Sequence, residues 1–250
     1  METRLQKEIE GHPYPLLFAA LSGAHLYGFP SPDSDYDLRG IHLLPLKDVV
    51  GLKPLSETVQ RCYMRDGLEM DLVTHDVRKY FQLILKRSGE ILEQLFSPLV
   101  LYTCDTHEEL RQLTRSAISR QNASHYLGFA KAQWSELEKA EQPQIKGLLY
   151  LYRVLMTGIH LMREGEVEAN IVKLNDSFRL RYLPELIDAK MEGSEKAAAE
   201  NVDMSFHAAE YHRLVALLKQ ERERSLLPED TDIREELDAL LVSIRLGTRK

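Results

Sequence analysis

Two carboxylates, Asp35 and Asp37, stand two residues apart within Asp33-Ser34-Asp35-Tyr36-Asp37-Leu38-Arg39-Gly40. Side chains two apart on an extended strand share a face, so the two carboxylates project together while Tyr36 and Leu38 turn the other way. Like charges that close repel unless a cation lies between them or one takes a proton. A divalent metal with oxygen ligands is the usual resolution, which makes the segment a candidate phosphoryl-transfer site. A third carboxylate adds to this reading. Gly67 to Thr74 alternates polar and apolar residues as a half-buried strand does, placing Glu69 and Asp71 on one face. Paired beside the strand of Asp37, Asp71 could meet the earlier aspartates, and an acidic triad of this kind can hold two metal ions.

Short strands and a tight turn frame these acids. Leu16 to Leu21 is an apolar run that reads as a buried strand, and it leads into Ser22-Gly23-Ala24. Small residues there would let the backbone approach a ligand closely and expose amides that can hold a triphosphate. The turn-rich Phe29 to Ser34 leads into a second strand, Tyr36 to Leu44, ended by Pro45. On spacing alone, a β-hairpin carrying two solvated aspartates accounts for the segment equally well.

The glycine turn, the D-x-D pair and the later strand acid resemble the nucleotidyltransferase superfamily typified by DNA polymerase beta. The fuller string Ser22 through Gly40 resembles the bacterial predicted nucleotidyltransferases related to RNA-ligase-associated polymerases. Leu92 to Pro98 and Lys146 through Gly158 add to the match, which covers most of residues 14 to 187. The near-continuous helical periodicity after Thr106 reads as an all-helical C-terminal domain (105–250) that helps bind nucleotide or acceptor, and the resemblance implies an α+β fold with a small mixed β-sheet nucleotidyltransferase domain backed by helices before it (1–104). It implies Asp35, Asp37 and Asp71 as catalytic metal ligands, with Asp71 helping to deprotonate the acceptor, and Gly23 against the triphosphate. The superfamily has Gly-Ser or Gly-Gly where this chain has Gly23-Ala24; the exchange removes a side-chain hydrogen bond to phosphate, leaves the amides, and makes Ser22 a candidate substitute.

Composition bounds the reading without naming a substrate. A chain of 250 residues can bury a proper core. Its net charge of −7 implies no broad basic surface, although a local groove could hold a short RNA end. Cys62 and Cys104 are isolated, as reduced thiols in a cytoplasmic protein would be. No run approaches membrane-spanning length, and the polar N-terminus lacks a signal-peptide core.

Periodicity predicts a helix starting near Thr74 with Val77, Tyr80, Phe81, Ile84 and Leu85 on one face, stopped by Ser88-Gly89. Leu99 to Tyr102 reads as a strand or connector, and Thr106 with Glu109 as a capping box. Helices follow over 122–140, 143–163, 171–178, 184–199, 204–224 and 233–244. Trp134 reads as core. In the helix over 143–163, Lys146, Tyr150, Arg153, Thr157 and His160 form a polar stripe. A solvated face is the plain account; the family resemblance favours Lys146 and Arg153 neutralising triphosphate oxygens. Arg39 could contact phosphate or pair with a nearby carboxylate. Arg120 and His125 match a spacing found in some helical ribonucleases, one that is frequent by chance.

The expectation is therefore a metal-dependent nucleotidyltransferase using Mg²⁺ or Mn²⁺, with two ions, and an NTP, ATP being favoured. It moves an NMP to an acceptor hydroxyl with release of pyrophosphate. An RNA 3′ end is the favoured acceptor; a protein or small-molecule hydroxyl is the alternative. A non-catalytic nucleotide-sensing module on the same fold is the reading from another class.

Overall fold

The computed structural model describes residues 2–53, 55–65, 67–192 and 203–247. In chain order come α1 (Glu2–Glu10), β1 (Leu16–Leu21), a short α2 (Gly23–Tyr27), β2 (Tyr36–His42) and a short α3 (Leu46–Val50). The antiparallel pair β3 (Thr58–Arg65) and β4 (Leu68–Asp76) follows, then α4 (Val77–Leu85), α5 (Gly89–Leu95) and β5 (Val100–Thr103). The remainder is helical: α6 (Asp105–Ala117), α7 (Asn122–Lys139), α8 (Ile145–Glu164), α9 (Ile171–Phe178), α10 (Leu183–Glu192), α11 (Met204–Arg224) and α12 (Arg234–Leu246). The fold is mixed α+β, and it divides into two compact units. One comprises Met1–Gly23, Asp35–Ile118 and Thr231–Lys250; the other comprises Ala24–Ser34 and Ser119–Asp230.

The first unit is a five-stranded mixed sheet in the order β3-β4-β2-β1-β5. Only β2 and β4 pair in parallel; the other neighbours are antiparallel. Strand alternation gives the sheet two apolar faces. Tyr36, Leu38, Met70 and Leu72 pack with Leu5 of α1. Phe18, Ala20 and Ile41 pack on the opposite face with Tyr80 and Phe81 of α4, Leu95 of α5, Leu110 of α6 and Leu237 of α12. Gly40 lets β1 and β2 close up, because a Cβ there would lie 2.3 Å from the Phe18 carbonyl oxygen.

Local chemistry moves several element ends from their expected places. β4 runs on through Thr74 to Asp76, and Asp76 caps α4 by accepting from the Arg78 amide. Thr74 is spent elsewhere: its hydroxyl lies 2.9 Å from His42 Nδ1 and 3.0 Å from His12 Nε2. Ser88-Gly89 does not simply stop a helix; Arg87 takes a left-handed φ of 57° and Ser88 opens α5. Cys104, not Thr106, precedes the first turn of α6. Of the helix expected over 184–199, α10 accounts for the part through Glu192, and 193–199 lie outside the described residues.

In the second unit α8 is the central helix, packed against α7, α9, α10 and α11. Gly158 seats α8 against α7, where a Cβ would come within 2.9 Å of Tyr126. Trp134 stacks on Tyr211 at 4.9 Å, as core. Among the described residues no helix is long and apolar enough to cross a membrane.

Candidate active site

Parallel pairing of β2 with β4 sets Asp37 directly opposite Asp71. Side chains of paired residues share a face, so the two carboxylates stand side by side near the starts of their strands. Arg39, two residues beyond Asp37, projects from that face and joins them. Its Nη2 donates to Asp37 Oδ1 at 2.5 Å and to Asp71 Oδ2 at 2.8 Å. Its Nη1 donates to the backbone carbonyls of Asp71 at 2.7 Å and Leu38 at 3.1 Å. The three side chains are only 14–23% exposed, so their interaction is less screened than a surface pair. Burial alone would lower the Arg39 pKa; the charges of Asp37 and Asp71 outweigh it and hold the guanidinium above its ordinary value.

Gly23 belongs to this cluster for a steric reason. Its φ is +58°, and a Cβ built there would sit 1.7 Å from Asp37 Oδ2. The glycine therefore makes room for the Asp37 carboxylate. Beside it the buried Ser22 donates its amide to the Asp37 carbonyl at 2.9 Å, tying the turn to β2. Ala24 is buried and begins the segment that belongs to the second unit.

Asp35 stands one residue before β2 and is partly buried. Its charge is sensed on β3, where Cys62 pairs with Asp71 across the sheet. Cys62 Sγ donates to Glu69 Oε1 at 3.5 Å. That bond foremost, with the charges of Glu69, Asp71 and Asp35, holds the thiol above its ordinary pKa. Period-2 reading could have placed Arg39 on the face of Asp37. β3 gives no such signal, because as an edge strand it carries polar residues on both faces.

Three aspartates offer hard oxygen donors of the type that suits Mg²⁺ or Mn²⁺. Among the described residues no group of three or more His, Cys, Asp or Glu side chains is arranged to hold a metal ion. The donors fit in kind by their oxygen chemistry, but they are not gathered around a metal position, and the cation position between Asp37 and Asp71 is taken by the Arg39 guanidinium.

Lys146 and Arg153 lie on α8 in the second unit. Arg153 is only 3% exposed, with its guanidinium carbon 3.8 Å from the centre of the Tyr27 ring. Lys146 is partly buried, its ammonium 5.7 Å from the centre of the Tyr150 ring. The polar stripe is therefore not a solvated face throughout: Thr157 is buried too and donates to the Glu168 carbonyl. Arg120 serves structure, with Nε donating to the Leu227 carbonyl at 3.0 Å and Nη1 facing Glu229.

The sequence profile of the RNA repair pathway DNA polymerase beta family matches residues 1–243. The chain belongs to this family. Two relatives are uncharacterized proteins. One, from Methanocaldococcus jannaschii, is 29% identical over 158 residues, 62% of this chain; the match spans 63% of that protein's length. The other, YcgL of Bacillus subtilis, is 26% identical over 254 residues, covering 96% of this chain and 93% of its own. A solved nucleotidyltransferase-like protein from Exiguobacterium sibiricum is 12% identical with a TM-score of 0.32, over 89% of this chain and 73% of that one. Membership makes the protein a polymerase beta-type nucleotidyltransferase, a family that generally uses nucleoside triphosphates and divalent metals.

Proposed function

We propose that the protein transfers a nucleoside monophosphate from an NTP, with ATP favoured, to the 3′-hydroxyl of RNA in a metal-dependent reaction. The observation that carries the reading is the in-register meeting of Asp37 and Asp71 around one cation position. Asp35, Asp37 and Asp71 would hold Mg²⁺ or Mn²⁺, which when bound acidifies the acceptor hydroxyl and neutralises the triphosphate. Asp71 lies beside exposed residues of β3 and takes the acceptor proton as its oxygen attacks the α-phosphorus. A new P–O bond to the acceptor forms, the bond to the β,γ-diphosphate breaks, and pyrophosphate leaves. In this reading the amides of Gly23 and Ala24 serve the phosphates, with the Ser22 hydroxyl beside them because its own amide is spent on the Asp37 carbonyl, and Lys146 and Arg153 supply further positive charge. Such chemistry needs positioning and charge compensation and no covalent protein intermediate.

The RNA acceptor is supported by the family's pathway name. Two free cysteines fit work in a reducing cytoplasm. The test is incubation of the protein with each α-labelled NTP, Mg²⁺ or Mn²⁺, and an RNA oligonucleotide bearing a 3′-hydroxyl. Extension of the RNA by wild type but not by Asp37→Ala is the expected result. Label carried only to a protein or small molecule would replace the acceptor. Nucleotide binding without any transfer would convert the enzyme into a sensor.

A further inference from the structure

We propose that Arg39 is a built-in counter-ion for the metal position, and that metal and triphosphate bind cooperatively because each helps to release it. The inference rests on the metal-dependent reading above and adds a role for a residue inside that site. One nitrogen, Nη2, contacts both carboxylates, each of which gives it one oxygen. A divalent ion shared by Asp37 and Asp71 needs those oxygens and competes with the guanidinium directly. The other nitrogen, Nη1, is held by two backbone carbonyls that take no part in the competition. Arg39 can thus give up the carboxylates while its side chain stays on the sheet.

Charge decides what happens next. Asp35, Asp37 and Asp71 with Arg39 carry two net negative charges. A divalent ion on the three carboxylates offsets that charge, but the displaced guanidinium, about five-sixths buried, is left without a carboxylate partner and lacks the water to compensate fully. A triphosphate supplies the missing anion and suits the planar fork of arginine. Metal alone should bind weakly, nucleotide alone should meet two carboxylates, and the two together should bind well. The coupling must be reciprocal, since it is a difference in binding free energies.

The experiment titrates Mn²⁺ into wild type, Arg39→Ala and Arg39→Lys by calorimetry and by the spin resonance of free Mn²⁺. Each protein is measured with and without α,β-methylene-ATP, and its thermal unfolding is followed with and without Mn²⁺. Without nucleotide, Arg39→Ala should bind Mn²⁺ about tenfold or more tightly than wild type, because charge-assisted hydrogen bonds no longer compete. The analogue should raise Mn²⁺ affinity strongly in wild type and little in Arg39→Ala. Metal-free Arg39→Ala should melt below wild type, and saturating Mn²⁺ should close the gap. Arg39→Lys keeps a cation without the fork and should fall between; it carries the test if the alanine variant fails to fold. Mn²⁺ binding by the variants that equals or falls below wild type would overturn the inference and leave the metal reading standing. Absence of Mn²⁺ binding from all three proteins, with and without the analogue, would sink both.

Discussion

Replacing Gly23 with alanine separates two accounts of the glycine turn. If its only task is to let phosphate approach the backbone, the variant should raise the NTP concentration required and leave turnover intact. The structure assigns it a second task. The added Cβ would lie 1.7 Å from Asp37 Oδ2, 2.6 Å from Cγ and 3.1 Å from Cβ. These are atoms of one side chain, so Asp37 must swing its carboxylate away and surrender its bond to Arg39. The φ of +58° adds a conformational cost of about 1–2 kcal/mol for a residue with a Cβ. Loss of the partly exposed Asp37–Arg39 contact adds about 1 kcal/mol. A total of about 2–3 kcal/mol lowers the melting temperature of a chain this size by roughly 5–10 °C.

The effect on transfer should be larger, because displacing a metal-holding carboxylate by about 1 Å costs on the order of 10²-fold. Gly67→Ala is the control. Gly67 also has positive φ, at +79°, but a Cβ there meets nothing within 4 Å. It isolates the backbone term. Thermal unfolding, with kcat and KM from labelled transfer, should show Gly23→Ala losing kcat and stability beyond Gly67→Ala. Equal losses in the two variants would refute the steric argument.

Asp37→Ala should abolish transfer and also cost about 1 kcal/mol of stability, read by denaturant unfolding, since Arg39 already offsets the repulsion between the acids and would lose a partner. Arg153→Ala removes a buried guanidinium stacked on Tyr27 and should destabilise by about 2 kcal/mol while raising the KM for NTP; an unchanged melting temperature would contradict the packing described for it. Acid should destabilise the protein through His42, whose pKa burial foremost, aided by His12, lowers from 6.5 to about 4. The unfolded chain then binds the extra proton between about pH 6.5 and 4, so stability falls as pH drops through that window, by about 3 kcal/mol, and His42→Asn should flatten the slope in pH-dependent unfolding. The physical basis is that His42 is fully buried and its Nε2 has no partner among the described residues, so a second N–H would be buried without an acceptor.

Sequence reading succeeds here where one periodicity dominates a segment and fails where tertiary pairing decides. The apolar spacing of Ile171–Phe178 and Met204–Arg224 is enough to bound α9 and α11, because each buries one face for its whole length. The pattern of β3 is not enough, since an edge strand buries little on either face. Chain order likewise hides that α12 joins the sheet's apolar cluster through Ile233, Leu237 and Leu240, and that Ala24–Ser34 belongs with the later helices. At the candidate site the limit is sharper. Alternation puts Asp37 and Arg39 on one face, and Glu69 and Asp71 on another strand's face. A shift of one residue between β2 and β4 would have turned Asp71 to the opposite side. The observed register instead brings one carboxylate from each strand to a single guanidinium nitrogen. The repulsion between Asp37 and Asp71 is thus already answered by the chain itself. An arginine doing that work gives way only to a ligand that supplies both a cation for the acids and an anion for the arginine, and a metal–triphosphate complex supplies both.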